Sequence, residues 1–276
     1  MNGSALQEIP IATLRFFTLG LPSNRDEQQS IAQILDDMDS LLEGLERLIG
    51  KKRDIKQAAM QQLLTGQTRL PGFTGVWHSK ALGSIARIQR GASPRPIESP
   101  IWFDNSSSVG WVRISDVTTS RMHLKETTQR LSTQGVKASR PVARESLIMS
   151  ICATIGRPII TSIDVCIHDG FVVFEDLLVD QLYLYYMLKW IEPGWNKHGQ
   201  TGSQMNLNTG LIKLTEIRLP PTREEESAIA SKLIDLDTEI EALEQRLAKT
   251  RDIKQAMMQE LLTGKTRLVT SEAIHA

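Results

Sequence analysis

Residues Arg53–Leu70 read RDIKQAAMQQLLTGQTRL, and residues Arg251–Leu268 read RDIKQAMMQELLTGKTRL. The offset of 198 residues between them holds without a gap from Leu21/Leu219 to Leu70/Leu268, and about half of the paired positions are identical. Solenoid repeats are ~20–45 residues long, so this spacing belongs to one long element used twice around an insert.

Each copy predicts a single helix. Ser23 with Asp26, and Thr222 with Glu225, fit capping boxes in which the hydroxyl accepts a first-turn N–H and the acid answers back. The acids of RDE and REEE suit the positive end of the helix dipole, and Gly66 and Gly264 supply left-handed stops. About 40 residues lie between those signals, ~60 Å of helix. In the second copy Ile229, Leu233, Leu236, Ile240, Leu243 and Leu247 alternate four and three apart, a narrow pairing seam. The first copy is broader: Ile31, Ile34, Leu35, Met38, Leu41, Leu42, Leu45, Leu48 and Ile49 form a face that one neighbour does not fully cover, so a second partner is expected. Both helices are acidic in their first half (DDMDS, DTEIEALE) and basic in their second (KKRDIK, KTRDIK). Antiparallel pairing sets acid beside base; the alternative is a solvated face with dipole-favoured bias.

The insert, Pro71 to Arg218, is written differently. GWVRISDV, SLIMSICATIG, RPIITSI and CIHDGFVVF are short β-like runs broken by Gly, Pro, Asp and Ser, while VDQLYLYYMLKWI is helix-like. The expected architecture is one α/β or α+β globular domain plus two long antiparallel coiled-coil-like helices. The insert holds 16 Lys and Arg against 12 Asp and Glu, an excess that fits contact with a polyanion.

At 276 residues and 41% hydrophobic, the chain holds one large domain or two ordinary ones. No apolar run approaches the ~18 residues of a membrane span, and the opening MNGSALQEIP lacks a secretory pattern, so a cytoplasmic location is expected. Cys152 and Cys166 read as buried free thiols, and no His/Cys spacing offers a metal site.

Catalytic motifs are not found. TGKT at Thr263–Thr266 resembles the end of a phosphate loop, but Gln259 stands where the first Gly is needed and the segment follows a helix. RDIK lacks the second carboxylate of a metal-dependent nuclease. His168 and Asp169 have no nucleophile beside them in sequence. Trp102, Trp111, Trp190 and Trp195 read as core or rim residues before they read as base-stacking platforms.

The ordered set GWVRISDVTTSRM, SICATIGRPIIT, TGSQMNLNTGLIKLTEIRLPP, EEESAIASKLIDLDTEIEALE and IKQAMMQELLTGKTRL resembles the DNA specificity (S) subunit of type I restriction-modification systems, from about Leu21 to Leu268. The resemblance implies a non-enzymatic reader of double-stranded DNA. In such a subunit, target-recognition domains each bind half of a two-part site and antiparallel helices dock methyltransferase (modification) subunits, through which a restriction subunit joins. It implies no cofactor in this chain, with S-adenosylmethionine, ATP and Mg confined to partner subunits. Domains are expected at 1–20 (the tail of a preceding recognition domain, since these residues align at the same offset with TGLIKLTEIRLP), 21–68 (first helix), 69–218 (recognition domain), 219–266 (second helix) and 267–276 (tail). The usual order is domain, helix, domain, helix; here one domain lies between two helices. A homodimer reading an inverted site is expected, with a truncated fragment or a purely structural helical adaptor as the alternative.

DNA contact requires Arg, Lys and polar side chains on loops. QRGASPRP offers Arg90, Ser93 and Arg95; GWVR offers Arg113; CATIGR offers Thr154 and Arg157; and WNKHGQTGSQMN offers Asn196, Lys197, His198, Gln200, Thr201, Ser203 and Gln204. Local turn bonding is the competing role for each.

Overall fold

The structure is a computed structural model that describes residues 10–16, 18, 20–195 and 207–268. Two compact units are present, Met1–Asp54 with Thr238–Ala276, and Ile55–Asp237. After a short turn of helix, α1 (Ile11–Leu14), the first repeat forms α2 (Arg25–Leu64), and the second forms the last helix, Arg223–Leu262. Each is 40 residues long. The 198-residue offset carries one end onto the other, cap for cap. Asn24, not Ser23, caps the first, its Oδ1 accepting the Asp26 N–H at 2.8 Å. Thr222, its counterpart, accepts from the Glu225 N–H at 3.3 Å. The first cap therefore lies one residue beyond Ser23, and the acids expected to answer back serve elsewhere: Glu225 gives both carboxylate oxygens to Arg69, and its counterpart Glu27 gives both to Arg267. Gly66 and Gly264 both adopt φ +72, the left-handed stop that a side chain would strain.

Between the helices the chain forms β1 (His78–Ala81), α3 (Leu82–Ile85), β2 (Arg87–Arg90), β3 (Gly110–Val112), α4 (Ile114–Thr119), β4 (His123–Leu124), β5 (Gln129–Arg130) and α5 (Thr133–Lys137). It continues with β6 (Arg140–Val142), β7 (Leu147–Ser150), β8 (Pro158–Thr161), β9 (Val165–Ile167), β10 (Phe171–Glu175), α6 (Gln181–Trp195), α7 (Thr209–Leu214) and β11 (Glu216–Leu219), which leads into the final helix, α8. The strands form a five-stranded sheet in the order β2-β10-β7-β8-β4, a four-stranded sheet β5-β3-β9-β6, and the pair β1-β11. Strands β7, β8 and β9 are buried at every position, as their largely apolar text requires, and the polar ends of β7 and β8, Ser150 and Thr161, donate to backbone carbonyls. In GWVRISDV only GWV is strand. The Asp116 carboxylate accepts the Arg113 N–H at 2.8 Å and turns ISDV into the start of α4.

Within Ile55–Asp237, Met60, Leu63 and Leu64 of α2 and Ile229 and Leu233 of α8 belong to the same buried cluster as Tyr183, Leu184 and Tyr186 of α6. The helix pair and the globular domain thus share a core in this unit. Arg69 clamps the buried Glu225 with two bonds of 2.5 and 2.6 Å, and Lys56 meets Asp237 at 2.5 Å. Asp237 also accepts the Tyr186 hydroxyl at 2.7 Å.

In the other unit Ile31, Leu45, Ile49 and Ile240 are buried, while Leu35, Met38, Leu42, Leu243 and Leu247 are half-buried. Leu236, on the Ile55–Asp237 side, is half-buried and packs against that unit's core. Arg267 clamps Glu27 at 2.6 and 2.7 Å, Arg251 meets Glu46 and Arg53 meets Glu244 at 2.5 Å each, and Lys254 meets Asp39. As residue number rises along one helix it falls along the other, so the pairing is antiparallel.

Candidate nucleic-acid interface

Strand direction gathers one set of loops. β2 ends at Arg90 beside the start of β10, and β7 ends at Ser150 opposite Phe171, the first residue of β10. β3 and β9 run parallel and end together at Val112 and Ile167, while β6 starts at Arg140 opposite Ile167. The turn His168–Gly170, joining β9 to β10, sits at the centre of these ends. The Gly91 N–H donates to the Phe171 carbonyl at 2.9 Å, and Ala92 donates to Ile167 at 3.0 Å. From the other side, Ile151 donates to the Gly170 carbonyl at 2.8 Å. A Cβ at Gly91 would fall 2.1 Å from the His168 carbonyl oxygen, so the approach requires glycine there.

The geometry brings together Arg90, Ser93, Arg95, Arg113, Thr154 and Arg157. Ser93 donates to one Asp169 carboxylate oxygen at 2.8 Å and Arg95 approaches the other at 3.4 Å. Arg90 Nε donates to the Asp169 carbonyl at 2.6 Å. Arg113 donates to Gln129 at 2.7 Å and lies over the Trp111 ring, which itself neighbours His168 with ring centroids 5.8 Å apart. Thr154 offers its carbonyl to the Ser150 hydroxyl, and Arg157 is half-buried on the same loop. Asn196, Lys197, His198, Gln200, Thr201, Ser203 and Gln204 lie outside the described residues; Leu207, just beyond them, donates its N–H to Ile151 at 2.9 Å.

Two residues escaped the sequence reading. Arg140 donates to the Arg90 carbonyl at 2.7 Å and to Gln89 Oε1 at 2.5 Å. In the text it stands before a proline, and only the β6–β9 pairing carries it here. Asp169 read as half of a weak dyad, whereas it is the acceptor on which the arginine-bearing loop is tied.

The electrostatics suit an anion partner better than nucleophilic chemistry. Arg90, Arg95, Arg113, Arg140 and Arg157 surround this end of the domain. Asp169 is held below the usual carboxylate range chiefly by the Ser93 hydroxyl, and so stays ionised. Burial pushes His168 down, and its Nδ1 accepts the Gly170 N–H at 2.9 Å, so the neutral ring carries its proton on Nε2. Cys152 lies beside Gly170, but burial and the Asp169 charge raise its thiol. Cys, His and Asp thus meet in space with the sulfur protonated and unreactive at neutral pH. Trp111 and Trp195 are buried, and Trp102 donates to the Pro96 carbonyl at 2.7 Å; in these positions they pack or brace the domain. No group of His, Cys, Asp and Glu among the described residues is arranged to hold a metal ion. None of the described helices is long and apolar enough to cross a membrane.

Comparison with known proteins gives a consistent result. The family model for the type I restriction modification DNA specificity domain matches residues 75–250. The type I restriction enzyme MjaVIII specificity subunit of Methanocaldococcus jannaschii is 24% identical over 263 residues, covering 88% of this chain and 61% of that protein. Another protein of the same organism is 24% identical over 264 residues, covering 89% of this chain and 58% of its own length. The chain therefore spans about three fifths of these relatives. Among solved structures, the HsdS subunit from Thermoanaerobacter tengcongensis shares the fold with a TM-score of 0.61 at 17% identity, covering 96% of this chain and 65% of that one. The S subunit from M. genitalium gives 0.61 at 16% identity, covering 95% and 67%.

Proposed function

The chain belongs to the type I restriction modification DNA specificity family, and on that basis we propose that it is a non-catalytic DNA-reading subunit whose recognition domain binds one half-site through the His168–Gly170 end. One observation carries the reading: sheet topology collects Arg90, Arg95, Arg113, Arg140 and Arg157 on strand ends and adjoining loops at one end of the domain, tied by backbone hydrogen bonds. Arginines neutralise phosphates or read guanine edges, and rigid turns hold them in register. Neutralising about five phosphates makes binding fall several hundred-fold between 50 and 200 mM salt. Fluorescence anisotropy of the full chain on a randomised 30-bp duplex measures that slope; a salt-independent signal overturns the reading.

The helices serve the assembly. The repeat predicts a second seat for a recognition domain. Leu64 and Leu219, 1% and 4% exposed, bury themselves in the core of unit Ile55–Asp237, whereas their counterparts Leu262 and Leu21 are 51% and 72% exposed. A second domain of the same fold would cover them and complete a two-part site. Methyltransferase subunits, bringing S-adenosylmethionine, would dock along the helices, and a restriction subunit using ATP and Mg would join through them, in the cytoplasm where the DNA lies. A second copy of this chain is the homodimeric route to that assembly. Its support is the flank of α2, where Leu41 and Leu48 are exposed while the counterparts on α8 are Glu239 and Arg246. Light scattering tests it: a strict monomer, both alone and with methyltransferase, rules the homodimer out.

A further inference from the structure

We infer that Asp169 is a positioning residue for base recognition, a carboxylate that fixes the Arg90–Arg95 turn in its reading conformation at the expense of raw DNA affinity. The inference rests on the reading of this end as the DNA face.

A carboxylate amid arginines at a phosphate-binding surface is paradoxical if affinity alone matters, since it repels the ligand. Its bonds explain its place. Asp169 holds the turn at three points along its length: its carbonyl accepts from Arg90 Nε, Oδ1 from Ser93, and Oδ2 from Arg95. The backbone of the same turn is already pinned at Gly91 and Ala92, and Ser139 donates to the Ala92 carbonyl at 2.7 Å. What remains free is the direction of the side chains, and Asp169 sets it. The Arg95 side chain is 74% exposed and its contact with Asp169 is long, so the guanidinium is aimed rather than consumed. An incoming phosphate or guanine can take over donors that the carboxylate only loosely holds. The immobilised turn would then discriminate between sequences, while the negative charge would weaken contacts with duplexes that offer no matching base edge.

The two effects separate in one substitution. Asp169→Asn removes the charge and weakens the hold on Ser93 and Arg95 with little change in shape. The full chain and the variant are taken through selection from a randomised duplex library, and binding to poly(dI-dC) is measured alongside. The wild-type chain is expected to enrich a motif. In the variant, enrichment of that motif should fall about tenfold, while affinity for poly(dI-dC) holds or tightens. Ser93→Ala, which removes one hold without changing charge, should lower enrichment of the motif by a larger factor than it lowers affinity for poly(dI-dC); it decides the matter if Asp169→Asn lowers the melting temperature. Undiminished enrichment in both variants overturns the inference, as does a parallel loss of motif and poly(dI-dC) binding. A wild-type chain that enriches no motif overturns the underlying reading of the DNA face, a distinguishable failure.

Discussion

Cys166 shows how burial governs chemistry at the level of one residue. It lies on β9 with no exposed surface, paired with Trp111 of β3 and Pro141 of β6, and burial pushes its thiol up to about 11. The ordinary value is 9.0, so the folded chain holds this proton more tightly than the unfolded chain does. The sign follows: the stabilisation is complete below about pH 9 and is lost as pH rises towards 11. Native protein at pH 8 should leave Cys166 unmodified by iodoacetamide, whereas both thiols react in denaturant. Cys166→Ala should flatten part of the fall in denaturation midpoint between pH 8 and pH 10.5; an equal fall in both proteins counts against it. The same neighbourhood shows what the sequence could disclose about the site. The turn that carries Arg90, Ser93 and Arg95 was legible because Gly and Pro punctuation around polar side chains is a local pattern. Arg140 and the bonding of Asp169 were not, because they depend on β3 and β6 flanking β9, pairings made across tens of residues by strands of only three residues.

Among the elements, the long helices were legible almost completely, since a gapless offset fixes both ends of both helices at once. The physical reason for the repeated text appears only in the pairing. Under the offset of 198, Arg53–Glu244 maps onto Arg251–Glu46, Lys56–Asp237 onto Lys254–Asp39, and Arg69–Glu225 onto Arg267–Glu27. RDIK is therefore the basic half of an antiparallel clamp, present once on each helix because each helix grips the other. One pair breaks the symmetry. Lys52 meets Glu239 at 2.6 Å, but the counterpart positions are Thr250 and Leu41, which leaves one flank polar and the other apolar. Exposed pairs of this kind contribute under ~1 kcal/mol each, so they set register and direction more than stability. Arg69 differs, because its partner Glu225 has no exposed side chain and is left uncompensated when the guanidinium goes. Arg69→Ala should cost about 3 kcal/mol in chemical denaturation. Arg267, with a side chain 57% exposed, is the matched control. Its partner Glu27 is also withdrawn, at 6%, so the two pairs differ chiefly in the exposure of the guanidinium, 57% against 24% for Arg69. Arg267→Ala is expected to cost clearly less, and an equal or larger loss would show that burial of the cation is not what sets the difference.

For the whole molecule, the decisive fact is that an internal symmetry of sequence is not matched by a symmetry of burial. Met60 and Leu64 belong to a core that includes α6, whereas Met258 and Leu262, identical residues at the related positions, are largely exposed. Two identical leucines on matched helices therefore give a comparison in which helix propensity cancels and only the neighbouring domain differs. Leu64→Ala should destabilise the chain by about 2–5 kcal/mol, because a packed site cannot collapse around the void. Leu262→Ala should change the unfolding of the chain by less than ~1 kcal/mol, since little packing surrounds it. A Leu262 variant that costs as much as the Leu64 variant would mean that the second seat is already filled in solution. Sedimentation then identifies the occupant. If a second copy covers the seat, Leu262→Asp shifts the monomer–dimer equilibrium towards monomer in proportion to protein concentration. If the seat is empty until another recognition domain arrives, Leu262→Asp leaves the isolated chain unchanged and lowers only its recovery in the assembled methyltransferase complex.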